Sequence, residues 1–243
     1  MPCESRINLI DFIFQKEKKM KPQFSASLMC MDFLHVKEQI EILNQNVEYF
    51  HIDIIDGHYS KNLSLSPDLI QAFSKVVKKP MDAHLATTHP EHWIQPCARA
   101  GATYISPHAE TISNDAFRIF NMIENEGCKV GVVLNPATPI SFVETYLGRV
   151  ELLTILTVDP GFAGQPFINE MLDKIKAAAR LREENGYTYK IQVDGAVNKG
   201  TFKRLKDAGA DVFVLGSSGL FNLDDDLLKA CSQAYENFYE VTK

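Results

Sequence analysis

Eight short apolar runs recur along the 243-residue chain, each followed by a stretch of helical spacing, and no other feature constrains the fold as much. The runs are FSASLM from Phe24, YFHIDII from Tyr49, PMDAHLA from Pro80, TYISPH from Thr103, KVGVVLN from Lys129, ELLTILTV from Glu151, YKIQVD from Tyr189 and DVFVLG from Asp211. Their starts lie between 22 and 38 residues apart, which leaves room for one helix and its loops in each unit. The helical stretches carry end signals. AFRIFNMIENEG follows Ser113, Asn114 and Asp115 and stops at Gly127, INEMLDKIKAAARLREENG runs from Ile168 to Gly186, ARAG ends at Gly101, KGTFKRLKDAG ends at Gly209, and LDDDLLKACSQAYENFYEV carries acids at its start. Eight β-then-α units in this length predict an α/β protein of the (β/α)8 TIM-barrel type, for which ~250 residues is usual. A doubly wound open sheet fits less well. It uses fewer strands, and MCMDFL stands where its glycine-rich fingerprint would follow the first strand.

No linker rich in Pro, Gly or Ser divides the units, so residues 23–243 are expected to form a single catalytic barrel domain. Residues 1–22 precede the first strand as an N-terminal extension, within which Met20 offers an alternative start. The apolar stretch INLIDFIF in this extension is broken by Asp11 and followed by KEKK, which is not the order of a signal peptide. No apolar run approaches the ~20 residues of a membrane span. The five cysteines are scattered without a C-x-x-C pair, so reduced thiols and a cytoplasmic location are expected. With 25 basic against 31 acidic residues, the net charge of −6 argues against binding a nucleic-acid backbone through bulk charge. Any anionic ligand must be held by a local device.

Strands of a parallel barrel are covered on both faces and should be almost wholly apolar. Several here are not, and the exceptions come in pairs two residues apart: Ser25 and Ser27, His51 and Asp53, Asp82 and His84, Ser106 and His108, Gln192 and Asp194. That spacing puts each pair on one face of its strand, mostly toward the C-terminal end, where such barrels do their chemistry. A lone inward histidine is more often a satisfied core group than a ligand. Two histidines and two aspartates converging at one mouth reverse that reading, because buried charge is costly unless it is paired or metal-bound. His51, Asp53, His84 and Asp194 are therefore the expected ligands of one divalent metal ion, with zinc, manganese, iron or cobalt all suited to this donor set. Asp53 and Asp194 are also the expected catalytic pair. One would take a proton from a carbon beside a carbonyl and the other return it on the opposite face.

The second device is for phosphate. VDPGFAGQPF follows the sixth run, DGAV the seventh and GSSGLF the eighth. In this fold the last two loops commonly form a phosphate site, and glycine lets backbone N–H groups reach the anion without help from Lys or Arg.

SLMCMD, HIDIIDGH, DAHL, VDPGFAGQPFI, VDGAV and ADVFVLGSSGLF together resemble the ribulose-phosphate 3-epimerase family, from about Phe24 to the final helix. Within it, MCMD, GFAGQPF and GSSGLFN are most similar to the D-allulose-6-phosphate 3-epimerase branch. The resemblance implies a ribulose-phosphate-binding type of barrel, a metal-dependent isomerase acting on a ketose phosphate, and a homo-oligomer. It also implies that Asp53 accepts the proton and Asp194 donates it, or the reverse for the opposite epimer. By position, Ser27 and His84 would contact substrate, and Gly161, Phe162, Ala163 and Gly164 would close over it. Gly195, Ala196, Gly216, Ser217 and Ser218 would surround the phosphate. The chain departs from the family pattern at Ile55, Ala86 and Leu156, where methionines are usual, at SKN in place of VPN, and at Ala196 in place of Ser or Gly. Three alternatives stand beside this reading: the ribulose 5-phosphate/xylulose 5-phosphate reaction, a Schiff-base or decarboxylase barrel, and a non-catalytic sugar-phosphate binder. The Schiff-base reading is weakened because Lys129 and Lys190 fall at the beginnings of their strands.

Overall fold

The computed structural model describes residues 21–243. The readings of INLIDFIF, Met20 and Cys3 lie outside the described residues. Eight parallel strands close into a barrel in strict sequence order, each pairing with its chain neighbours and β1 with β8. They are β1 Gln23–Ser27, β2 Tyr49–Ile55, β3 Met81–Ala86, β4 Tyr104–Pro107, β5 Lys129–Leu134, β6 Leu152–Leu156, β7 Lys190–Asp194 and β8 Val212–Leu215. All eight coincide with the apolar runs to within one or two residues. The outer layer consists of α1 Val36–Asn46, α2 Pro67–Phe73, α3 Glu91–Ala100, α4 Ala116–Asn125, α5 Met171–Asn185, α6 Phe202–Ala208 and α7 Leu227–Val241.

The βα repeat is imperfect at one point. Between β5 and β6 the chain forms two 3-10 segments, Ile140–Phe142 and Glu144–Arg149, in place of an α-helix. Pro139, β-branched Val143 and Thr145, and Gly148 all weaken a helix in this short connection. Of the end signals, Asp115 precedes α4 without a side-chain cap hydrogen bond, and Gly127 beyond it takes positive φ. Gly101, Gly186 and Gly209 take the left-handed conformation that ends α3, α5 and α6, and Asp226 caps α7 by accepting from the N–H groups of Leu228 and Lys229.

Alternation along the strands separates two cores. Outward residues pack under the helices. Phe24 there meets Phe202, Phe213, Tyr235 and Phe238 with ring centroids 4.7–6.5 Å apart. Inward residues stack in layers, and the lowest is Tyr49, Tyr104, Leu152 and Val212, one from each even-numbered strand. Lys190 closes this lower end by donating to Gln23 Oε1, so it lies at the end of the barrel away from the polar residues described next. No helix among the described residues is long and apolar enough to cross a membrane.

Candidate active site

Above the apolar floor the barrel interior turns polar. Asp82, on β3 and fully buried, accepts from Ser106 Oγ at 2.5 Å, Gln192 Nε2 at 2.9 Å and His51 Nδ1 at 3.0 Å. It stands behind His51 and fixes which ring nitrogen points up the barrel. His51 Nε2 then lies 3.2 Å from His84 Nδ1, 3.4 Å from Asp53 Oδ1 and 3.6 Å from Asp194 Oδ2. His84 Nδ1 lies 3.0 Å from Asp53 Oδ1. One donor atom from each of the four residues falls within 4.8 Å of all the others. β2 supplies His51 and Asp53, β3 His84 and β7 Asp194.

The donor set fits a metal ion. Four N and O ligands held tetrahedrally at 2.0–2.2 Å from one ion are separated by about 3.4 Å; four of the six pairs here lie 3.0–3.6 Å apart, and all six lie within 4.8 Å. Two imidazoles and two carboxylates also suit a borderline divalent cation. The local field calls for positive charge. Burial disfavours an imidazolium at His51, yet the charge of Asp53, with hydrogen bonds to Asp53 and Asp82, raises its pKa well above the ordinary value.

The two site carboxyls are driven apart. Burial raises Asp53, but the charge of His51 and hydrogen bonds from His51 and His84 outweigh it and hold the group well below the usual carboxylate range. At Asp194 burial dominates; His51 reduces the rise, Asp53 reinforces it, and the net shift is upward. The two carboxyls thus shift in opposite directions from the same ordinary value. Ser27 Oγ donates to Asp53 Oδ2 at 3.1 Å and orients it.

His84 is backed differently from His51. Its Nε2 lies 2.8 Å from Nε2 of His108, a fully buried imidazole whose pKa burial pushes down to about 4. His108 Nδ1 lies 2.8 Å from the Tyr59 hydroxyl, which accepts from Asn135 Nδ2 and lies 3.5 Å from Glu110 Oε2. Glu110 is half-buried, which raises its pKa, but hydrogen bonds from His108 and Thr138 bring it down to about 2. The chain His84–His108–Tyr59–Glu110 therefore ends on a fixed negative charge. His58, also near a strand end, takes no part in this chain. It is exposed and turns back onto the Asp56 carbonyl at 2.9 Å.

A cavity of ≈ 340 Å³ opens over this cluster. Asp53, His84 and Asp194 face it, whereas His51 is sealed beneath. Ile55, Ala86 and Leu156 supply apolar wall. Every residue expected at the substrate lines it too: Ser27, Gly161, Phe162, Ala163, Gly164, Gly195, Ala196, Gly216, Ser217 and Ser218. No lysine or arginine lines the cavity among the described residues. The turn after β7 is tightly made. Gly195 has φ +106°, and a Cβ there would lie 2.5 Å from Val158; Ala196, at φ +50°, is the one non-glycine residue with positive φ among the described residues. Such strain gathers at functional sites. Cys30, within the MCMD motif, also borders the cavity, its thiol pKa raised by burial.

Comparison with known proteins agrees with this geometry. A family model described as "Ribulose-phosphate 3 epimerase family" matches residues 23–221. The chain is 37% identical over 196 residues to a ribulose-phosphate 3-epimerase of Bacillus subtilis, covering 80% of this chain and 90% of that protein. It is 37% identical over 204 residues to one from Methanocaldococcus jannaschii, covering 84% and 86%. Among solved structures, 3-hexulose-6-phosphate synthase from Salmonella typhimurium superposes with a TM-score of 0.65 at 16% identity, over 90% of this chain and 99% of that one. KGPDC from Streptococcus mutans superposes with a TM-score of 0.66 at 12% identity, over 92% and 100%. These last two show the shared barrel fold alone. With its family model spanning all eight strands and its relatives above 30% identity, the chain belongs to the ribulose-phosphate 3-epimerase family and is an enzyme of the isomerase class.

Proposed function

We propose that this enzyme is a metal-dependent 3-epimerase of a ketose phosphate that interconverts D-allulose 6-phosphate and D-fructose 6-phosphate. The observation that carries the reading is the pair Asp53 and Asp194: two carboxyls in one donor cluster, brought to one mouth from strands three apart around the barrel. Asp53 is the group suited to take the C3 proton and Asp194 the group suited to give one back, with the roles exchanged for the other epimer. His51, Asp53, His84 and Asp194 would hold the metal. When bound, a divalent zinc, manganese, iron or cobalt ion supplies a Lewis acid for charge developing on the substrate oxygens.

The remaining assignments follow the lining of the cavity. Ser27 and His84 would touch the sugar, and Gly161, Phe162, Ala163 and Gly164 would cover it. Gly195, Ala196, Gly216, Ser217 and Ser218 would receive the phosphate through backbone N–H groups and hydroxyls, which suits a cavity without basic side chains. Residues 23–243 act as one catalytic unit. The family resemblance supports a homo-oligomer, and the free thiols of Cys30, Cys97, Cys128 and Cys231 support a reducing, cytoplasmic setting.

The six-carbon substrate is supported by the similarity of SLMCMD, GFAGQPF and GSSGLF to the allulose branch. A second reading, ribulose 5-phosphate to xylulose 5-phosphate, is favoured by the names of the curated relatives. Steady-state turnover of both substrates by protein loaded with one defined metal separates them. The expected result is a kcat/KM at least tenfold higher for allulose 6-phosphate. The reverse preference would establish the second reading, and no turnover of either would remove both.

A further inference from the structure

We propose that Ser60 and Asn62, in the loop after β2, are positioning residues that clasp the loop after β6 across the barrel mouth and hold the site roofed. In a ring of eight strands β2 and β6 stand opposite one another, so a bond between their loops must span the mouth. Two such bonds are present. Asn62 Nδ2 donates to the Gly161 carbonyl at 2.6 Å, and Ser60 Oγ donates to the Pro160 carbonyl at 3.1 Å. The spanning segment includes Gly161–Gly164, which lines the cavity beneath.

Each side of the clasp is built for the contact. On the β2 side, Asn62 Oδ1 accepts from the Leu63 N–H at 2.9 Å, which turns the amide so that its NH2 faces Gly161. Ser60 is only 8% exposed. The loop itself is anchored by Asp56, which accepts from the backbone of His58, Tyr59 and Thr88 and from the Thr88 hydroxyl. On the β6 side, Gln165 Nε2 donates to the carbonyls of Asp159 and Phe162, bracing the loop as one piece. Gly161 has φ +112°, and a Cβ there would lie 1.7 Å from Ser60 Oγ, so glycine is what lets the two loops meet. Phe162 stays 53% exposed at the tip, so the roof is tied by the two polar contacts rather than by packing of that ring. The clasp rests on the epimerase reading only for what lies beneath the roof.

The test is backbone amide exchange on the full chain, with and without substitutions at the clasp. Asn62→Asp keeps the acceptor for Leu63 N–H but cannot donate to Gly161; Ser60→Ala removes the other donor. Loss of one ordinary hydrogen bond raises local opening about fivefold, and loss of both about twenty-five-fold. The expected result is faster exchange by those factors over residues 159–166, with the rest of the barrel unchanged. KM for the ketose phosphate should rise while kcat holds, as for lost uniform binding. Unchanged exchange over 159–166 in the double variant, or a rise spread evenly over the barrel, would overturn the clasp. Exchange is read without substrate. A wild-type enzyme that turned over no ketose phosphate would therefore defeat the epimerase reading while leaving the clasp to be decided by its own result.

Discussion

His51 and His84 face the same point but are held from behind by different chemistry. Behind His51 stands the Asp82 carboxylate, which can only accept, so the His51 tautomer is fixed. Behind His84 stands the neutral ring of His108, which can donate or accept. The direction of that bond is set further out, where Tyr59, Asn135 and Glu110 meet. For His84 Nδ1 to offer a lone pair to a cation, its Nε2 must carry the proton and His108 Nε2 must accept it. His108→Leu removes that acceptor, whereas His108→Gln can restore one through its amide oxygen. Zinc affinity measured by chelator competition should fall 10–100-fold in His108→Leu, the usual cost of losing such a partner, and recover in part in His108→Gln. Equal affinity in wild type and His108→Leu would show that the second imidazole is packing alone. The four candidate ligands were legible because polar residues are conspicuous in strands that must be apolar on both faces. Tyr59, Glu110 and Asn135 were not, since they come from three loops with no shared period, and only the barrel brings them together.

Among the connecting elements, the loop after β2 carries the most organisation. Asp56 ties it to the start of the loop after β3, and those hydrogen bonds, led by that from Thr88 N–H, outweigh burial and lower its pKa to about 2 from 3.8. A carboxyl whose folded pKa is depressed stabilises the protein fully above its unfolded value and loses that contribution as pH falls toward the folded one. Asp56→Asn should therefore lower stability by about 2 kcal/mol at neutral pH, the scale of hydrogen bonds to a charged group. Urea unfolding of both proteins should show that deficit constant above pH 5 and shrinking as the pH falls below 4 toward 2. A deficit independent of pH would mean that Asp56 matters for its shape and not its charge. DGH was legible as a motif, but the role of its aspartate required the contact with Thr88, 32 residues away. The repeat predicts a helix between β5 and β6, but the residues there, Pro139 and Gly148 among them, favour the 3-10 turns observed.

At the scale of the molecule, strand order converts a sequence repeat into a site. Asp53 and Asp194 are 141 residues apart in the chain, yet closure of β1 onto β8 places β2 and β7 three strands apart around one mouth. The closed barrel could be read from the count of eight units, because no open sheet accommodates that count as readily. The opposite pKa shifts of the two carboxyls could not. They arise from burial and from the position of His51 between the two carboxyls, which exist only once the barrel has formed. The central claim is that these two carboxyls exchange one proton with C3 from opposite sides. Incorporation of solvent deuterium at C3, followed by NMR from each epimer in turn, tests it most directly in wild type, Asp53→Asn and Asp194→Asn. Wild type should label C3 from both epimers, and each variant should lose epimerisation and fail to label at least one of them. Labelling of both epimers at the wild-type rate in both variants would contradict a two-base reaction at this site.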